Sequence, residues 1–281
     1  MVEKKVLKFS QEVTSFYGSN YYKATLFFPK KISDAVFVYY AWIRIPDEYV
    51  DGEKDKSIAR ENLISWIDNW NIVVEGASSK DQIHNEMYKI FKEYETPLEY
   101  SKIFLQAMEQ DLSKSRYKNY EELERYMMGS AVVVGFTMLS FFKLHKEDLL
   151  PYAKSLGEAM QLANFLRDVR EDIDELGRVY LPQEDLVKFN VTNEDIISHK
   201  HTDNFKKLMA FEISLCRDLY KHAWIGIEKL PFKVKFPIRI ATRNYEEVLK
   251  EIEKADYNIW EKRHSASKFK KFTIILKSIF T

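Results

Sequence analysis

Apolar side chains recur at helical spacing along nearly the whole of this 281-residue chain, and little in the sequence can interrupt them. Only 8 Gly and 7 Pro are spread through it, too few for the many turns of a β-sandwich or barrel. Residues 31–45, 58–75, 82–95, 97–115, 120–143, 148–176, 204–229 and 237–262 each read as helical. Val36, Val38, Tyr39 and Ile43 follow that spacing, as do Leu105, Met108 and Leu112. No Pro/Gly/Ser-rich linker and no repeat of fixed period divides the chain. The pattern predicts an all-α protein of one domain over residues 1–281, with 1–14 as an N-terminal extension and 264–281 as a basic C-terminal tail.

Charge and cysteine usage narrow the function classes. Forty-three Lys+Arg balance 43 Asp+Glu, and the isoelectric point is near 7.0, which argues against a broad nucleic-acid-binding surface. The single cysteine, Cys216, excludes an internal disulfide and permits a reducing compartment. The first residues, Met1 to Lys8, lack the apolar core of a signal peptide. The most apolar run, Ala131 to Phe142, is too short for the roughly 20 residues that span a bilayer. A cytoplasmic protein is expected. The basic run from Lys262 to Lys271 reads either as cations at a helix end or as a contact to diphosphate or an anionic membrane surface.

The chemistry-bearing stretch is Gln161-Leu-Ala-Asn-Phe-Leu-Arg-Asp-Val-Arg-Glu-Asp172, followed by Gly177-Arg-Val-Tyr-Leu-Pro182. On a helix, Asp168 and Asp172 share one face with roughly 5–6 Å between Cβ atoms, and like charges there repel unless a cation lies between them. Chance alone supplies about six acid pairs at this spacing in a chain with 43 acids, and one pair is usually a solvated face. Context separates this pair from the rest. Gln161, Asn164, Asp168 and Asp172 fall on one polar stripe in successive steps of three and four. A second pair, Asp47 and Asp51, lies upstream, and an arginine precedes each pair: Arg44 and Arg167. Two such clamps suit Mg²⁺ ions that hold a diphosphate, since Mg²⁺ favours a few carboxylates plus phosphate oxygens.

These residues resemble the motifs of the squalene and phytoene synthases. Gln161 through Asp172 with Gly177 to Pro182 is similar to their second aspartate-rich motif. Ser19-Asn-Tyr21-Tyr22 through Pro29, then Tyr40-Ala-Trp-Ile-Arg44-Ile-Pro-Asp47-Glu-Tyr-Val-Asp51, is similar to their N-terminal block and first motif. Met108 to Leu112, Arg116-Tyr117, Tyr126 to Gly135, and Tyr245 with Lys262-Arg263 continue the likeness in order, from about residue 15 to about 270. The resemblance implies a helical isoprenoid-synthase bundle with a central apolar cavity. It implies head-to-head condensation of two allylic prenyl diphosphates through a cyclopropyl diphosphate, foremost two geranylgeranyl diphosphates to phytoene. Two farnesyl diphosphates giving squalene or dehydrosqualene is the alternative, with NADPH used only for squalene. A non-catalytic relative serving as an assembly or binding protein is a remote third reading, against which stand the four intact aspartates.

The same resemblance implies site roles. Asp47, Asp51, Asn164, Asp168 and Asp172 would hold Mg²⁺ or Mn²⁺. Ser19, Tyr21, Arg44, Arg167, Tyr245, Lys262 and Arg263 would bind the diphosphate substrates. Tyr40, Tyr126 and Gln161 would lie near the reacting carbons, diphosphates or a metal. Product release would involve peripheral membrane contact. The sequence departs from the pattern in places. Glu48 stands where a second aspartate is usual, and Pro46 predicts a bend or restart of the helix before the acids. Arg170 replaces a glycine and is expected to face solvent or screen the pair. Val132 adds bulk, and Thr25 removes it, along the expected tunnel.

Overall fold

The computed structural model describes residues 2–280, without the side chains at 19, 20 and 280. Its helices are α1 (Lys4–Tyr17), α2 (Ser19–Thr25), α3 (Lys30–Asp51), α4 (Lys56–Val74), α5 (Gln82–Glu93), α6 (Glu99–Asp111) and α7 (Tyr120–Met127). There follow α8 (Val133–Phe141), α9 (Leu150–Leu176), α10 (Gln183–Lys188), α11 (Asn193–Ile197), α12 (Asp203–Lys229), α13 (Phe232–Lys254) and α14 (Lys268–Phe280). Among the described residues there is no strand, only one isolated bridge between Arg116 and Val179. The all-α expectation holds.

Local chemistry sets the helix ends. Asp55, Asp81 and Asn119 each accept a backbone N–H of the first turn of α4, α5 and α7, and Thr192 with Asp195 closes a reciprocal cap on α11. Gly177 ends α9 in the left-handed region at φ +64°, where Arg178 N–H donates to the Asp172 carbonyl at 2.9 Å.

Three departures from the periodicity reading have clear physical reasons. The segments expected as extension and tail contain α1 and α14, whose inward positions include Ser10, Thr14 and Ser278, all without exposure. Buried hydroxyls that bond back to their own helix, as Thr14 does to the Ser10 carbonyl, leave no mark in an apolar count. The stretch 120–143 is two helices joined by a π-helical turn, Met128–Val132. Pro46 does not restart the helix: α3 runs unbroken from Lys30 to Asp51, with Trp42, Pro46 and Val50 buried along one side. The missing proline N–H is one lost rung in a helix anchored by packing on both sides of it.

The chain folds into two compact units. The first comprises residues up to Ser113 with Val133–Leu150 and Leu230–Ile238. α3 is its centre. Trp42, without exposure, meets Trp70 at 4.8 Å, Phe104 at 6.0 Å and Trp66 at 6.4 Å between ring centroids. Trp42 Nε1 donates to His84 Nδ1 at 3.0 Å, which gives the imidazole a polar partner amid the indoles. The second unit holds Lys114–Val132, Pro151–Lys229 and the chain from Arg239 onward. α9 and α12 bury Leu162, Leu166 and Val169, and Phe205, Leu208 and Ile213. Backbone bonds from Val179 to Ser115 (3.0 Å) and from Gln183 to Tyr117 (2.9 Å) strap the segment after α9 to the one before α7.

Burial among the tryptophans pushes the His84 imidazole down to about 4, because a charged ring there would lose its water. The native state therefore binds no proton while the unfolded chain does below its ordinary value of 6.5. Stability from this group is complete above that value and is lost as pH falls toward about 4, at about 1.4 kcal/mol per pH unit. Denaturant midpoints measured across this range should show the extra slope in the native chain and not in His84→Gln. Equal slopes would refute the assignment.

Candidate active site

Helix α3 carries the first acid cluster. Its spacing places Arg44 one turn before Asp47 and Glu48, and the guanidinium meets both: Nη1 donates to Asp47 Oδ2 at 2.5 Å, and Nη2 bonds Glu48 Oε1. Glu48 thus has a role of its own, as a second carboxylate partner of the arginine one turn earlier. Arg44 also lies over the Tyr17 ring, 4.9 Å from its centroid, while its Nε is buried without a hydrogen-bond partner. Asp47 keeps 29% of its side-chain surface open to solvent, yet its carboxyl is pushed up to about 7. Removal from bulk water is the main cause, followed by the negative charges of Asp51 and Asp111, against which Arg44 pulls it down. Asp111, at the end of α6, is buried. It is the acid that sequence reasoning left without a role, although it lies inside the Met108–Leu112 block.

Tyr40 and Tyr21 form the wall beside this cluster. Their rings stack with centroids 4.9 Å apart, and the Tyr21 hydroxyl points to Met138 Sδ at 3.9 Å. Gly18 is what lets Tyr40 sit there. A Cβ on Gly18 would fall 2.4 Å from Tyr40 Oη and 2.8 Å from Cζ. Thr25 is buried and donates its hydroxyl to the Tyr21 carbonyl at 2.9 Å, so it steadies this wall. The side chain of Ser19 lies outside the described residues.

Helix α9 carries the second cluster, with Gln161, Asn164, Arg167, Asp168 and Asp172 on one half-buried stripe. Two guanidiniums converge on Asp168. Arg167 Nε donates at 2.7 Å with its Nη2 on the other oxygen, and Arg263 donates from Nε at 2.7 Å and Nη2 at 2.8 Å. Burial favours protonation of Asp168, but the two arginine forks outweigh it and hold the carboxyl below the usual aspartate range. Asn164 Oδ1, one turn before Asp168, is buried with no hydrogen-bond donor. An acceptor left dry in this way is costly unless a ligand meets it.

Arg170, expected to face solvent or screen the acids, is partly exposed and turns away from Asp168 and Asp172. Its Nη1 donates to the Trp260 carbonyl at 2.6 Å and its Nε lies 3.5 Å from Asp174, so it pins the segment that carries Arg263. His199 completes that pin, stacking on Trp260 at 4.9 Å and meeting Asp174 at 2.8 Å. Tyr126 is buried in a four-ring stack: Phe165 and Tyr180 lie 4.0 Å apart at 8°, Tyr126 meets Tyr180 at 5.8 Å, and Tyr117 meets Tyr126 at 5.2 Å. Val132 is wholly buried, its backbone so close to α9 that a Cβ on Gly157 would come within 3.0 Å of Val132 Cα. Tyr245, half-buried on α13, and Arg167 both bear on the buried Tyr220 hydroxyl, whose ionisation is suppressed chiefly by burial. Lys262 is exposed, and it is its neighbour Arg263 that reaches Asp168.

Among the described residues, no three His, Cys, Asp or Glu side chains are grouped to hold a metal by themselves. Mg²⁺ needs fewer, because it binds through one or two carboxylates plus phosphate oxygens. Within each unit the donor set suits such a group: Asp47 and Asp51 with the unpartnered Arg44 Nε in the first, and Asp168 and Asp172 with the unpartnered Asn164 oxygen in the second.

The family model for squalene/phytoene synthase matches residues 16–270, and the chain belongs to that family. It is 32% identical to the chloroplastic phytoene synthase of an Oncidium hybrid cultivar over 94% of this chain and 65% of that one. It is 30% identical to the 15-cis-phytoene synthase of Synechocystis sp. over 90% and 78% of the two chains. The chain thus spans just under two thirds of the orchid relative's length. A dehydrosqualene synthase crystal structure superposes with a TM-score of 0.91 at 22% identity, covering 98% of this chain and 96% of that chain. The squalene synthase HpnC from Alicyclobacillus acidocaldarius gives 0.82 at 22% identity, covering 90% and 95%. Both establish the fold.

The fit of Tyr40 against Gly18 can be tested directly. Gly18→Ala should cost about 1–3 kcal/mol of stability by overpacking. Tyr40→Leu should absorb most of that cost in the double variant, so that the two changes couple in a denaturation cycle. Simple additivity would show that the two residues do not touch.

Proposed function

We propose that the protein joins two allylic prenyl diphosphates head to head through a cyclopropyl diphosphate, with two geranylgeranyl diphosphates giving phytoene as the leading case. The observation that supports it is the survival of both aspartate pairs, each with its arginine, on α3 and α9 of a chain in this family. The curated relatives named above are phytoene synthases, which favours the C40 reading over squalene or dehydrosqualene.

In this reading Asp47, Asp51, Asn164, Asp168 and Asp172 would hold Mg²⁺, whose positive charge would offset the negative charge of a departing diphosphate. Arg44 offers a buried Nε that has no other acceptor, suited to a phosphate oxygen. Arg167 and Arg263 keep Asp168 charged, and so ready as a metal ligand, until diphosphate arrives to share their forks. Tyr21, Tyr245 and Lys262 belong to the same diphosphate-binding set. Tyr40, stacked on Tyr21, and Tyr126, stacked on Tyr180, belong in this reading to the aromatic surroundings that would keep water from an allylic cation. A hydrocarbon product leaves most readily into lipid, so peripheral contact with a membrane forms part of the proposal.

Incubation with geranylgeranyl or farnesyl diphosphate separately, with Mg²⁺ and with or without NADPH, decides the substrate. An unreduced C40 hydrocarbon is expected. An NADPH-dependent C30 product would replace phytoene with squalene, and no product from either substrate would refute the enzyme reading. Chelation should abolish turnover and Mg²⁺ should restore it. Asp47→Asn and Asp168→Asn should each lower kcat by roughly a hundredfold or more with the fold intact by circular dichroism. Full activity in either variant would overturn the metal assignment.

A further inference from the structure

Helix α14 has two faces that its neighbours treat oppositely. Ile274 and Ser278 are buried, at 6% and 0% exposure, and Ser278 Oγ accepts from Arg243 Nη1 at 3.2 Å. The opposite face shows Phe269 at 74%, Phe272 at 59%, Leu276 at 45% and Ile279 at 42% exposure. At about 100° per residue, these four fall within an arc of roughly 80°. A continuous apolar stripe left in water along a whole helix asks for an occupant.

We propose that α14 is a docking helix that lies in the plane of an anionic lipid surface and buries Phe269, Phe272, Leu276 and Ile279 in it. Charge selects this occupant. The segment Lys268–Phe280 carries Lys268, Lys270, Lys271 and Lys277 and no acid. Lys268 borders one edge of the stripe; Lys270, which also lies 3.4 Å from Glu247, and Lys277 fall toward the other. Long lysine stems at such edges can snorkel to headgroup phosphates while the rings go deeper. A second copy of the chain fits less well, because pairing this face with itself would bring lysines together with no counter-charge on either helix. At 13 residues the helix is about 20 Å long, too short to cross a hydrocarbon core of about 30 Å. Consistently, no described helix is long and apolar enough to span a membrane.

This deepens the proposed function, since it names the surface through which a water-insoluble product would meet lipid, but the stripe and its cations stand without that reading. The test is co-sedimentation of the full chain with vesicles of phosphatidylcholine alone or mixed with phosphatidylglycerol, at low and high salt. Binding is expected only with the anionic vesicles and should weaken as salt rises. Phe272→Glu with Leu276→Glu should reduce binding roughly tenfold or more, and Lys268→Gln with Lys277→Gln by less. Both altered pairs are exposed, so melting temperature should not move. Absence of wild-type binding, or binding unchanged in Phe272→Glu/Leu276→Glu, would overturn the proposal. A concentration-dependent dimer that disperses in that variant, without vesicle binding, would overturn it in favour of a second copy. Turnover of prenyl diphosphates in detergent, measured in parallel, should be unaltered in these variants. Vesicle binding as described without any turnover would leave the docking helix standing and remove only the catalytic reading.

Discussion

Carboxylates set one helical turn apart repel each other, and the arginines that answer this repulsion organise the protein's chemistry. On α3 one guanidinium must serve Asp47 and Glu48 together, with Asp51 and Asp111 adding their negative charge to Asp47. On α9 two guanidiniums converge on Asp168 alone. The consequence is opposite in sign: Asp47 is driven toward its neutral form and Asp168 is held charged. Loss of bulk water, helped by the charges of Asp51 and Asp111, outweighs Arg44 at the first carboxyl, whereas two arginine forks outweigh burial at the second.

Rigidity for these clusters comes from aromatic packing. α3 is braced by Trp42 against Trp66, Trp70 and Phe104, with a neutral His84 accepting the Trp42 indole N–H. α9 is braced through Phe165 by the stack with Tyr180, Tyr126 and Tyr117, and the backbone strap at Val179 holds Tyr180 in register. The chain is rich in aromatics, at 15% of residues, and the packing explains the enrichment without assigning every ring to the reaction.

Much of this was legible in the residues. Asp168 and Asp172 four apart, with Asn164 and Gln161 a turn and two turns earlier, define a polar stripe on any helix. Glu48 looked like a weakened motif and is instead the second anchor of Arg44, a difference visible only once the reach of its side chain is known. Pro46 looked like a break and is not one, because propensity is a small energy beside the packing of Trp42 and Val50. α1 and α14 escaped the apolar count because Ser10, Thr14 and Ser278 fill inward positions with buried hydroxyls.

By itself, the order of residues determined the all-α architecture, the family and the two acid pairs, since helical period and i, i+4 spacing are local properties that neighbours along the chain impose. Only the tertiary structure decided which charges meet. Arg263 lies 95 positions from Asp168 yet forks onto it, Arg170 leaves the acids for the Trp260 carbonyl, and Gly18 makes room for Tyr40. Contacts between residues far apart in sequence depend on how whole helices pack, and no local spacing encodes them.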